Sequence, residues 1–412
     1  MADLAVNLLG LDFPNPVWTA AGPTVRNGEM AARQVAGGAG GAVCKTISST
    51  AARPPAFHML NLSRGRKEGL LNTELWSELP PGDWLEREYA VALRAGVPVI
   101  ASVGYTADEV VRLGAAAERA GVHALEVTVH YAREEPWRVM KALRAAVSIP
   151  LIAKLSPHDP AGLVETARRL EPYVDAVAAV NSLGPALRID IETGRRLLGS
   201  ELGTGWLSGP PIKPLALAIV FDLARTLRVP VIGVGGVRTG ADVVEFLMAG
   251  ASAVQVCTAN ILEGPQVFGR ITKELDTWLD EHAHATAREL TGLYARRLNA
   301  GPAAPPAAQT DEAAPAAQAD DAASEDKAAA ASATTRTRYE APPPRLIPHT
   351  CNLCGTCARL CPYDALTMEK KGVRIDAARC HGCGLCVSVC PTGALEMDVD
   401  TELGPAGRAR PW

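Results

Sequence analysis

CNLCGTCARLCP runs from Cys351 to Pro362, and CHGCGLCVSVCP from Cys380 to Pro391. Each run has the pattern C-x2-C-x2-C-x3-C-P, the spacing by which thiolates hold cubane clusters in a two-cluster bacterial ferredoxin. The short x2 steps let three thiolates converge on one cluster, while the fourth cysteine of each run reaches across to the other. This assigns Cys351, Cys354, Cys357 and Cys390 to one [4Fe–4S] cluster, and Cys380, Cys383, Cys386 and Cys361 to the second. Zinc ribbons also use CxxC pairs, but two complete four-cysteine runs, each closed by Cys-Pro, exceed what tetrahedral zinc requires. The longer segments CNLCGTCARLCPYDALTM and CHGCGLCVSVCPTGALEM form an internal repeat, one copy per cluster half.

Upstream of this module, residues 299–345 are dominated by Ala, Pro, Gln, Asp and Ser. Such a stretch buries too little apolar surface to offset its ordering entropy, so a disordered tether is expected, leaving the cluster module free to move. The domain plan is therefore a large domain over 1–298, a tether over 299–345, a ferredoxin domain over 346–400 and a tail over 401–412.

The 412 residues carry 41 Lys plus Arg against 45 Asp plus Glu, a net charge of −4. That balance offers no general attraction for nucleic acid or an anionic membrane. Eight of the ten cysteines lie in the cluster runs, which favours metal ligation in a reducing compartment over a disulfide framework. The start lacks a signal-peptide pattern, and no apolar run approaches the roughly 18 residues of a membrane span. A cytoplasmic protein is expected.

Within 1–298, short apolar runs alternate with helical patterns. The runs are Val17–Ala20, Gly41–Lys45, Val97–Val103, His123–Val129, Ile149–Lys154, Asp175–Val180, Val229–Val234 and Ala251–Val256. Continuous rather than alternating apolar character marks parallel strands buried on both faces. Helices are expected between them over Ala107–Ala120, Pro160–Leu170, Thr239–Ala249 and Pro265–Glu281. Eight strand–helix units spell an α/β (β/α)8 TIM barrel followed by an α+β ferredoxin domain. A doubly wound sheet would call for a switch point and an early GxGxxG, and the chain has neither. Ala5–Pro16, ending in Pro-Asn-Pro, is expected to form a hairpin closing the barrel floor.

Barrel chemistry collects at the C-terminal ends of the strands. There the sequence places Ala20, Ala21 and Gly22, small enough for a flat ring to lie close, then Lys45-Thr46, Lys154 and Asn181-Ser182. Two buried lysines can stabilise negative charge on a reduced flavin or an oxyanion; the bland reading is that each reaches solvent or pairs with a carboxylate. Gly235-Gly236 and Thr258-Ala259 follow strands seven and eight, where barrels bind phosphate. Cys44 and Cys257 read as small buried hydrophobes.

These residues carry a family likeness. LLNTELWSEL around Asn72, AAVNSLG around Asn181, LSGPPIKPLAL, VIGVGGVRTG, GASAVQVCTA and EGPQVFGRITKEL resemble the dihydroorotate dehydrogenase family. With the cluster module, the chain is similar to the flavin and iron–sulfur portion of the dihydropyrimidine dehydrogenases. The likeness covers most of residues 5–282 and the ferredoxin module. It implies FMN held by Ala20, Ala21, Gly22, Thr46, Thr128, Lys154, Asn181, Gly209, Gly235, Gly236, Thr258 and Ala259. It also implies Lys45 beside flavin and substrate, with Asn72, Asn181 and Ser182 binding substrate.

One departure bears on the chemistry. Thr128 stands where the family has an Asn, and Tyr131 where it has the Cys or Ser acid of a long loop. That loop is nearly gone, because the next helix is expected to begin near Glu134. Tyr131 is then the candidate proton donor and His130 the second. The expected function is an FMN- and iron–sulfur-dependent oxidoreductase that reduces, or reversibly forms, a conjugated C=C bond. The shortened loop points away from a pyrimidine substrate. The alternatives are a dihydropyrimidine or dihydroorotate dehydrogenase proper, and an electron-relay subunit. The sequence names no NAD(P)H site, so electrons are expected from a ferredoxin or an NAD(P)H-dependent flavoprotein subunit. A homodimer is expected.

Overall fold

A computed structural model describes residues 2–63, 66–129, 135–157, 160–299 and 343–397. The candidates His130 and Tyr131, nearly all of the tether and the 401–412 tail lie outside these residues.

Eight parallel strands form one sheet: β1 (Val17–Thr19), β2 (Ala42–Val43), β3 (Val99–Val103), β4 (Ala124–Thr128), β5 (Leu151–Leu155), β6 (Ala176–Ala179), β7 (Val231–Val234) and β8 (Ala251–Val256). Every expected run contains a strand, mostly apolar and almost wholly buried on both faces. β8 pairs with β1 in parallel, Val254 opposite Val17. Between β1 and β2 the ring is closed by the Thr19 side chain together with backbone bonds. Thr19 Oγ1 donates to the Val43 carbonyl (2.9 Å) and accepts from the Val43 N–H (2.8 Å), while Thr19 N–H donates to the Gly41 carbonyl at 3.0 Å. The expected helices are present, among them Ala107–Arg119, capped by a reciprocal Thr106/Glu109 box, and Gly240–Ala249, capped likewise by Thr239 and Asp242.

The barrel interior is layered from floor to mouth. Val6–Leu8 and Leu11–Phe13 form the expected hairpin. Its Leu8 and Phe13 pack under Trp18, Val43, Ile100, Ile152 and Ile232. One turn higher on the same inward faces, period-2 alternation brings in polar side chains: Ser102 on β3, Glu126 on β4, Lys154 on β5 and Gln255 on β8. The floor is thus dry and the middle layer polar, directly beneath the mouth.

Two features go beyond the sequence reading. Met59–Asn61, Leu70–Asn72, Thr204–Ser208 and Leu183–Leu187 build a four-stranded antiparallel sheet, joined in that order, from excursions between barrel strands. Residues of two of these strands, Leu70–Asn72 and Thr204–Ser208, also border the barrel mouth. The cluster module is docked rather than free. Phe57 N–H donates to Gly382 O and Met59 N–H to Cys383 O, both at 2.9 Å. Phe57, Met59, Leu70, Ile261 and Leu262 share one apolar cluster with Leu360, Tyr363, Leu385 and Val389 of the module. A Cβ on Gly384 would lie 2.7 Å from the Phe57 ring, so glycine permits this approach. The module itself has two short helices, Thr356–Arg359 and Leu385–Val389, a hairpin of Leu366–Glu369 with Gly372–Ile375, and a terminal pair. In that pair Arg345, which the sequence reading left in the tether, faces Glu396.

Trp18 is fully buried and stacks on Phe13 with ring centroids 4.0 Å apart. Trp18→Ala should cost about 3–5 kcal/mol, the usual range for a large core aromatic. Chemical unfolding followed by far-UV circular dichroism measures it, and a loss under about 1 kcal/mol would mean that the floor does not hold the barrel closed.

Candidate flavin and iron–sulfur sites

A cavity of about 540 Å³ opens at the C-terminal ends of the strands. Its size lies in the range of cofactor pockets. Ala20, Ala21 and Gly22 after β1, Lys45 and Thr46 after β2, Thr128 on β4, Lys154 on β5, and Asn181 and Ser182 after β6 all line it. So do Asn72, Gly209, Gly235, Gly236, Thr258 and Ala259. The structure therefore brings together every described residue that the sequence reading placed in the flavin and substrate sites. Trp206, Trp76 and Tyr105, which that reading passed over, stand at the same cavity. Trp76 and Tyr105 meet edge to face with centroids 5.6 Å apart.

Both lysines are paired, as the bland reading held, and still border the cavity. Lys154 Nζ donates to Glu126 Oε1 (3.1 Å) and Gln255 Oε1 (2.9 Å), and Gln255 Nε2 donates to Glu126 Oε2 (2.6 Å). All three side chains are nearly inaccessible to solvent. Lys45 Nζ lies 2.5 Å from Glu74 Oε2 and 3.2 Å from Glu78 Oε2. Burial alone would lower the Lys45 pKa, but the two carboxylates outweigh it and hold the ammonium above its ordinary value. Burial would likewise raise Glu74; Lys45 and His58 prevail and bring its carboxyl down to about 2. None of Glu74, Glu78, Glu126 or Gln255 was a sequence candidate. A buried lysine calls for carboxylates nearby, and that signal alone could have pointed to them.

Asn72 is anchored by its own amide: Nδ2 donates to Trp206 O (3.1 Å) and Oδ1 accepts from Glu74 N–H (3.2 Å). Cys44 is fully buried, and burial, then Glu88, pushes its thiol up to about 12. Cys257 borders the cavity, with its thiol raised to about 11, first by burial.

The residues present fit FMN. The cavity wall at Ala20-Ala21-Gly22 carries no side chain larger than a methyl group, and two cations, Lys45 and Lys154, border the same cavity, where they would support the negative charge of a reduced flavin. At the far side Gly236 turns the chain at φ +83°, where a Cβ would lie 2.7 Å from Lys213 Cβ and 2.9 Å from Gly209 O. Glycine there lets the loop after β7 run against Gly209 and the start of helix Lys213–Ala224, and Gly209 in turn approaches Thr258 (a Cβ would lie 2.8 Å from its Cγ2), the kind of corner that receives a phosphate.

In the module, Cys351, Cys354, Cys357 and Cys390 line one small cavity, and Cys361, Cys380, Cys383 and Cys386 line another. These are the two sets expected from the spacing, including the exchange of the fourth cysteines. The second cavity faces the barrel: Cys383 and Cys386 share an apolar cluster with Leu70, Ile261 and Leu262, which also line the barrel cavity.

A flavin-bearing α/β barrel with a two-cluster ferredoxin module is the class that fold and site define. A dihydroorotate dehydrogenase family profile matches residues 125–279, and a 4Fe–4S dicluster profile matches residues 350–394. The chain is 34% identical over 304 residues to a protein of Methanothermobacter thermautotrophicus, covering 70% of this chain and 98% of that relative. It is 36% identical over 311 residues to one of Thermococcus kodakarensis, covering 71% and 98%. A relative from Geobacter sulfurreducens is 33% identical over 308 residues, covering 70% and 97%. Each is named as the catalytic subunit of dihydroorotate dehydrogenase B (NAD(+)). The chain belongs to the dihydroorotate dehydrogenase family. It is an oxidoreductase acting on CH–CH bonds, and its cofactors are FMN and two [4Fe–4S] clusters. The relatives do not support the expectation of a non-pyrimidine substrate; they favour the alternative, a dehydrogenase of the dihydroorotate type. Among the described residues no helix is long and apolar enough to cross a membrane.

Two variants probe the sites separately. Gly236→Ala should weaken FMN binding tenfold or more, read by flavin fluorescence of the filtrate after dilution, with iron content unchanged. Cys383→Ser should lower iron from about eight to about four per chain with FMN retained, since each cubane holds four irons. Loss of all iron together with FMN would show that the two sites do not load independently.

Proposed function

We propose that this protein oxidises dihydroorotate, or a closely related dihydropyrimidine, and passes the electrons through its own clusters to an external protein acceptor. The observation that carries this is the shared cavity in which Lys45, Asn72, Asn181 and Ser182 stand beside the flavin-binding strand ends, together with relatives named for dihydroorotate.

FMN, when bound, supplies hydride exchange on one side and single-electron exchange with the clusters on the other. The protein's contribution is positional. Asn72, held by Trp206 and Glu74, and Asn181, at the end of β6, present amides that match the donors and acceptors of an imide ring. Lys45 holds a fixed positive charge where negative charge develops. The Cys361/Cys380/Cys383/Cys386 set is the nearer station for electrons, because its apolar surroundings continue into the cavity wall. The external acceptor is read as a protein that handles NAD(+), by analogy with the printed names of the relatives.

Anaerobic mixing of the oxidised holoprotein with dihydroorotate tests the substrate. Dihydroorotate should bleach the flavin band, while NADH alone should leave it. Asn72→Ala should raise the half-saturating dihydroorotate concentration roughly 10–100-fold, the loss expected for one well-placed polar partner. If neither dihydroorotate nor dihydrouracil bleaches the flavin, the pyrimidine reading is wrong.

A further inference from the structure

A buried ring of polar contacts runs from the flavin cavity into the cluster module. Lys45 Nζ meets Glu74 Oε2 at 2.5 Å, and Glu74 Oε1 meets His58 Nε2 at 3.2 Å. The same nitrogen lies 3.0 Å from the hydroxyl of Tyr363, just beyond the Cys361-Pro362 step of the module. That hydroxyl donates to Glu78 Oε1 at 3.0 Å, and Glu78 Oε2 returns to Lys45 Nζ at 3.2 Å. Lys45, His58 and Tyr363 are 2%, 0% and 3% exposed, so bulk water does not substitute for any of these bonds.

His58 Nδ1 faces the Pro55 carbonyl at 2.9 Å, and Nε2 lies between the Tyr363 hydroxyl and the Glu74 carboxylate. The Tyr363 hydroxyl is the donor that occupies Glu78. The phenol is itself held in place: Arg26 lies 4.6 Å over its ring and donates to the Pro362 carbonyl, while His381 stacks on it at 4.3 Å.

We propose that Tyr363 is a positioning residue for the flavin site: by engaging Glu78 and His58 it sets how much of the Lys45 charge reaches the cavity, so the docked cluster module completes the flavin site. Without the hydroxyl, the freed Glu78 carboxylate turns fully onto Lys45 and screens it. The extra negative charge of reduced FMN then loses part of its electrostatic support. This inference rests on the FMN assignment and is independent of which substrate is oxidised.

The test uses the full-length holoprotein. Tyr363→Phe keeps the aromatic packing and deletes only the hydroxyl. FMN and iron contents are measured first, then the ratio of reduced to oxidised flavin at equilibrium with a reference redox dye. The expected result is wild-type FMN and iron, with that ratio lowered about tenfold. Arg33→Ala, which removes an exposed pair to Asp364 across the same interface (3.2 Å), should leave the ratio unchanged. An unchanged or raised ratio in FMN-loaded Tyr363→Phe overturns the proposal, as does an equal fall in Arg33→Ala, since loosening the interface would then suffice. A wild-type chain that binds no FMN would overturn the cofactor assignment and this inference together.

Discussion

Lys45 and Lys154 bring two positive charges to the mouth of a barrel whose floor is dry hydrocarbon. Removing an ammonium from water costs several kcal/mol unless a well-placed counter-charge replaces the lost hydration. Each lysine has its own answer. Lys154 is met from within the barrel, by Glu126 on the neighbouring strand and Gln255 across the interior. Lys45 is met from outside it, by Glu74 and Glu78, which follow the Leu70–Asn72 strand of the antiparallel sheet. The second answer has wider consequences, because those carboxylates lead through His58 to Tyr363 and so draw the cluster module into the balance.

That connection explains why a module joined through a low-complexity segment is nevertheless seated. The connection keeps both halves on one chain, so docking is intramolecular and needs far less interface than association of two free proteins. The interface combines an apolar patch around Phe57 and Met59 with two backbone hydrogen bonds and the buried ring. It also sets a direction. The cysteine set nearest the barrel shares apolar neighbours with the flavin cavity, whereas Cys354 of the other set is exposed. Electron exchange with another protein is easiest at the exposed end.

The relatives span 97–98% of their own lengths in matching about 70% of this chain. The chain therefore extends beyond the length it shares with them, and its 4Fe–4S dicluster match lies at residues 350–394.

The sequence by itself determined the barrel, the floor hairpin and both cluster sets. All of these rest on local, repeating signals: doubly apolar strand runs, Pro-Asn-Pro as a stop, and a fixed cysteine spacing that only one cluster geometry satisfies. It also determined the cavity lining, because a barrel places the residues after each strand at one mouth whatever the details of packing. Other features were decided only by the tertiary structure. Glu126, Gln255, Glu74 and Glu78 read as unremarkable polar residues, and their partnership with the lysines depends on register and on excursions that cross the barrel mouth. The four-stranded sheet was illegible for the same reason, its strands of three to five residues coming from three distant segments. The bond from Tyr363 to His58 spans 305 residues of sequence. No periodicity encodes a contact at that distance, and it exists only because two independently legible domains bury one polar ring between them.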